Sequence, residues 1–126
     1  MWNKLKSFEN FDELERVRNN AIKEVKKNSP SYLYYITVLN WRAKHFKDKN
    51  GLRTMGYIRG NTVFLNEEYI DSPKMIDVIL HELAHKIDSE RNGLKTNAHD
   101  DSFFDIYEKL SGKPQRQKYL NGVKVK

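Results

Sequence analysis

Two histidines four residues apart, His81 and His85, enclose Glu82, Leu83 and Ala84 in the pattern HExxH. Four residues of α-helix turn the chain through about 400° and advance it about 6 Å, so both imidazoles project from nearly one face and can converge on one metal ion. Glu82 sits beside them. From there a carboxylate can hydrogen-bond a water on the metal without being a ligand, which is the position of a general base.

A catalytic zinc takes three protein ligands and leaves a fourth position for water. The sequence contains no cysteine, which excludes thiolate zinc sites, iron–sulfur clusters, disulfides and a cysteine nucleophile together. The third ligand must therefore be His, Asp or Glu. His99 lies fourteen residues after His85, past a glycine break, where a helix–loop–helix turn can fold it back onto the first pair. It ranks ahead of Asp105 and Glu108, which fall on a helix where an exposed, solvated role suffices. His45, between Lys44 and Phe46 in a basic stretch, reads as a surface or phosphate-facing residue. The longer metzincin pattern is excluded, because Arg91 stands where its third histidine would be.

A structural zinc would need a fourth protein ligand from His45 or a carboxylate, and three histidines plus water is the simpler count. The expected chemistry is peptide-bond hydrolysis by zinc-bound water, with Glu82 taking its proton and passing it to the leaving amine. Asp88, Asp100 and Asp101 are near enough in sequence to orient the ligand imidazoles through their other N–H. Since zinc needs neutral imidazoles, loss of the metal is expected on acidification below about pH 6, near the unperturbed histidine pKa.

Several elements must position these groups. Phe8, Phe11, Leu14, Val17, Ala21, Ile22 and Val25 recur at helical spacing between Ser7 and Asn28, and Pro30 closes that helix. Tyr32 to Trp41 is rich in β-branched and aromatic residues, which favours a strand, with a helix as the alternative. Arg53–Ile58 and Thr62–Asn66, separated by Arg59, Gly60 and Asn61, read as a hairpin. Ser72 and Pro73 mark a helix start, the apolar stripe from Met75 to Ile87 carries the helix to about Arg91, and Asn92 with Gly93 ends it. A last helix from Asp100 or Asp101 to Gly112 buries Phe103, Phe104, Ile106, Tyr107 and Leu110.

The 126 residues make one domain, read as a body over 1–112 and a basic tail over 113–126. No apolar run is long enough for a membrane span, and charges occupy the start where a signal peptide would be apolar, so a cytoplasmic or nucleoid-associated protein is expected. The net charge of +6 is unevenly placed. Arg42, Lys44, Lys47 and Lys49 form one basic patch, and Lys113, Arg116 and Lys118 belong to a second. Either could grip a DNA backbone, with Trp41, Phe46 and Tyr119 as stacking partners for bases or, more simply, as core residues.

The residues from Leu52 to Leu110 resemble the SprT-like (Spartan-type) family of zinc metallopeptidases, which includes proteases of DNA–protein crosslink repair. The likeness is carried by LRTMGYIRG, TVFLNEEYI, VILHELAHKID and HDDSFF, in that order. It implies an α+β fold with a small minigluzincin-like core: an N-terminal helix, a short antiparallel sheet or hairpin, the HExxH helix and a C-terminal helix. It also implies His81, His85 and His99 as zinc ligands, Glu82 as catalytic base, and a protein substrate. The chain departs from the family at Asp100, where glycine is usual, and has no cysteine zinc ribbon. The competing reading is a non-catalytic, zinc-stabilised module that binds nucleic acid or protein.

Overall fold

The computed structural model describes residues 2–46, 55–93 and 99–116, with residues 2–11 described by backbone alone. It is an α+β arrangement in which helices cover one face of a three-stranded sheet. Helix α1 spans Trp2–Asn28 and buries Leu14, Val17, Ala21 and Val25, one apolar stripe at three- and four-residue spacing. It begins earlier than Ser7 because nothing between Trp2 and Ser7 breaks a helix, whereas the periodic signal starts only with Phe8.

Residues 32–41 do not form the strand their composition favours. Pro30 opens a 3₁₀ turn over Pro30–Tyr32, helix α2 follows over Leu33–Thr37, and strand β1 occupies Asn40–Lys44. Tyr32 and Ile36, one helical turn apart, are both buried. Tertiary packing of that pair outweighs the β propensity of the intervening Tyr34 and Tyr35.

The hairpin forms, with β3 at Thr62–Asn66 as expected and Gly60 at φ 60° in the turn; β2 occupies Gly56–Arg59, so Arg59 belongs to the strand rather than the turn and Met55 precedes it, while Arg53 and Thr54 lie outside the described residues. The sheet is mixed rather than antiparallel. Its order is β1-β3-β2, and β1 runs parallel to β3 in the register Asn40↔Thr62 to Lys44↔Asn66. Val63 and Leu65 on the central strand enter the core.

Helix α3 spans Met75–Asn92 and buries Met75, Ile79, Leu80, Leu83, Ala84 and Ile87. Ser72 acts one turn ahead of it. Its hydroxyl accepts from the Lys74 N–H at 3.2 Å and its carbonyl from the Met75 N–H at 3.0 Å, which moves the helix start from Pro73 to Met75. Gly93, at φ 90°, ends it. Helix α4 spans Asp101–Ser111; the Asp100 carboxylate caps it by accepting from the Phe103 N–H at 3.1 Å, and Gly112 closes it in the left-handed region. All five aromatic and aliphatic residues expected in its core stripe are buried.

The end of α1 holds the end of α4. Asn28 Nδ2 donates to the Leu110 carbonyl at 3.0 Å and Ser29 Oγ to the Lys109 carbonyl at 2.6 Å, satisfying two acceptors that a helix terminus leaves without internal partners. A Cβ on Gly112 would lie 2.7 Å from Asn28, whereas one on Gly60 would meet open space. Gly60→Ala should therefore cost about 1 kcal/mol from left-handed backbone strain alone, and Gly112→Ala about 2–3 kcal/mol because Asn28 must also move. Denaturant midpoints of the two variants test this; equal losses would refute the contact at Asn28.

Candidate metal centre

Helix α3 presents His81 and His85 one turn apart, with ring centroids separated by 4.9 Å. The chain returns to place His99 immediately before the α4 cap, and its ring lies 5.2 Å from that of His81 and 4.9 Å from that of His85. His99 Nε2 is 3.3 Å from His81 Nε2, and one ligand nitrogen from each of the three residues falls within 4.8 Å of the others. All three sequence-predicted ligands are thus brought together. Asp105 and Glu108 are directed elsewhere: Asp105 binds Arg116, and Glu108 accepts from the Gln115 and Arg116 N–H groups at 2.8 and 2.9 Å.

Phe103 underlies the cluster. It is fully buried, stacks on His85 at 4.2 Å with 22° between planes, and lies 5.1 Å from His81 and 5.0 Å from His99. One apolar ring from α4 therefore contacts two imidazoles of α3 and the one that opens α4.

Carboxylates surround the imidazoles. Asp88, buried in α3, accepts from Ser102 Oγ and Asn92 Nδ2, each at 2.8 Å, and its charge acts on His85. Asp100 acts on both His85 and His99. Asp101 is exposed and faces Arg116 instead. The residue that sequence reasoning passed over is Asp77, one turn before His81 on α3, which accepts from the Tyr107 hydroxyl at 2.8 Å and acts electrostatically on His81. Its i−4 spacing from His81 was the signal that could have found it.

Burial first, then repulsion from His85 and His99, lowers the His81 pKa to about 4 against the opposing pull of Asp77. His85 falls to about 4 through burial and His99, and His99 is also lowered by burial. Burial alone raises the Glu82 carboxyl to about 7. Near neutrality the cluster is three uncharged nitrogen donors, two on half-buried rings of α3 and one on the exposed ring of His99, a donor set that suits zinc.

The expected basic patches divide. Arg42 and Lys44 are exposed on β1, and Lys113 is exposed beyond α4. Arg116 is half-buried and committed to Asp105 at 2.9 Å. Lys47, Lys49, Lys118 and Tyr119 lie outside the described residues. Trp41 packs on the core, Phe46 pairs with Tyr57, and His45 is exposed at the end of β1, away from the histidine cluster. Among the described residues no helix is long and apolar enough to cross a membrane. Comparisons with protein-family models, curated proteins and solved structures found no match to the chain, so the chemistry of the site carries its functional reading.

Three ordinary imidazoles would weaken zinc binding about 10⁴-fold between pH 7 and pH 5, and one alone about 25-fold. With His81 and His85 held near 4, protons compete with zinc in that interval chiefly at His99, so the loss should not exceed about 25-fold. Competition against a chromophoric chelator at the two pH values measures it, and a loss near 10⁴-fold would refute the assigned electrostatics. Asp77→Asn should weaken zinc binding about 10-fold or more by removing the negative charge that acts on His81, measured in the same assay.

Proposed function

We infer that the protein is a zinc-dependent endopeptidase. The observation that carries this reading is the convergence of His81, His85 and His99 beside Glu82, a carboxyl raised to about 7. The three imidazoles would hold zinc through one nitrogen each. When bound, the ion supplies Lewis acidity towards water and the scissile carbonyl.

Glu82 supplies the proton transfers. A carboxyl with a pKa near 7 can give and take a proton at neutral pH with little driving force lost in either direction. It takes a proton from water as the new C–O bond forms, and it returns that proton to the amine nitrogen as the C–N bond breaks. Phe103 packs against all three rings, and the negative charges of Asp77, Asp88 and Asp100 act on the imidazoles that would carry the ion.

The order of hairpin, HExxH helix and third histidine at the head of the next helix supports membership in the SprT-like family with a minigluzincin-like core. Action on DNA-associated proteins follows from that membership and is part of the same proposal.

The deciding experiment incubates zinc-loaded protein, with and without single-stranded DNA, beside the Glu82→Gln variant. Fragments of the protein itself and of an added DNA-binding protein are followed by mass spectrometry. Glu82→Gln should keep its zinc and lose cleavage by about 10²–10⁴-fold. Full activity in that variant would remove Glu82 from the mechanism, and no cleavage by the zinc-loaded wild type would overturn the endopeptidase reading.

A further inference from the structure

Among the described residues, the helices leave a second face of the sheet uncovered. Trp41, Ala43, Ile58, Val63 and Leu65 lie in or against the hydrophobic core, and residues alternate along a strand, so their neighbours point the other way. In the observed register Arg42 stands opposite Phe64, Phe64 opposite Tyr57, and Arg59 opposite Thr62. This outer face therefore carries Arg42 and Lys44 along one edge strand, Arg59 on the other, and aromatic rings between them.

The rings form a continuous row. Tyr57 stacks on Phe64 at 5.1 Å with 26° between planes, and Phe46 lies 5.5 Å from Tyr57. Lys44 Nζ stands 5.0 Å from the centre of Phe64 and 6.0 Å from that of Phe46. None of the three rings belongs to the hydrophobic core or packs on it, so the core does not account for their presence. None of the three strands contains an acidic residue, and Arg42, Lys44 and Arg59 are exposed with no carboxylate partner among the described residues.

We propose that this outer sheet face binds single-stranded nucleic acid, with Arg42, Lys44 and Arg59 on the phosphates and Tyr57, Phe64 and Phe46 against the bases. Charge complementarity selects a polyanion. The aromatic row selects among polyanions, because single strands offer free base surfaces, whereas a duplex hides them in its stack and an acidic peptide has none. Arg42 and Lys44 are successive outward residues, about 6.6 Å apart along the strand, which suits consecutive phosphates of an unstacked strand. The inference stands apart from the zinc chemistry, since none of the six residues belongs to the histidine cluster.

The test is fluorescence anisotropy of a labelled oligothymidylate with the full-length, zinc-loaded protein over a salt series. Duplex DNA and polyglutamate serve as competitors. Replacing the three cations together, Arg42→Ser, Lys44→Ser and Arg59→Ser, should weaken binding at least tenfold and reduce the slope of log K against log salt by about 2, near 0.7 for each phosphate no longer neutralised. The pair Tyr57→Leu and Phe64→Leu should weaken binding about tenfold with the slope retained. An unchanged affinity and slope in the cation variant, with native circular dichroism and zinc content, would overturn the proposal. So would wild-type protein that binds duplex or polyglutamate as tightly as oligothymidylate. Since binding is read without any peptide cleavage, its failure is distinguishable from failure of the protease reading.

Discussion

The site depends on how α4 packs against α3. Two imidazoles on one helix are brought together by helical geometry alone, but a third must arrive from a chain that has turned back at the right height. Phe103 sets that height. Fully buried, it touches all three rings, so the packing contact that docks α4 is also the contact that places His99. The Asp100 cap refines it, because the residue that fixes the start of α4 follows His99 directly.

Around this contact the polar groups are arranged to serve both fold and site. The Asp77 carboxylate receives the Tyr107 hydroxyl from α4 and lies within 3.4 Å of Gln115 Nε2, so a hydrogen-bonded bridge between α3, α4 and the segment beyond them abuts His81. Asp88 does the same further along α3, taking Ser102 of α4 while its charge acts on His85. Removing water from this recess keeps the imidazoles neutral and the Glu82 carboxyl partly protonated, two opposite shifts with one cause: each disfavours the charged form.

How much of this the sequence disclosed depends on the range of the interaction involved. Helix α3 and the α4 boundaries were legible because apolar periodicity, the Asp100 cap and the glycines at 93 and 112 all act within a few residues. His81, Glu82 and His85 were legible for the same reason, and His99 was reached by counting the remaining donors. The split of residues 32–41 into α2 and β1 was not legible, since burial of Tyr32 and Ile36 depends on the surrounding helices rather than on local propensity. Parallel pairing of β1 with β3 joins segments about twenty residues apart and leaves no local signature. Arg42, Lys44 and Phe46 were legible as a basic patch beside an aromatic ring, but its continuation onto Tyr57, Phe64 and Arg59 was not, because without that register Arg42 and Phe64 have no evident relation.

The clasp between Asn28, Ser29 and the last carbonyls of α4 bears on how the chain matures. Its partners are separated by 82 and 80 residues, so nothing emerging early from the ribosome can complete it. Helix α1 is synthesised first yet waits for the last helix to supply its partners, and His99 is held in place by that same helix. Assembly of the histidine cluster therefore waits until α4 has been made, and a nascent chain stalled before His99 brings at most the two imidazoles of α3 to the site.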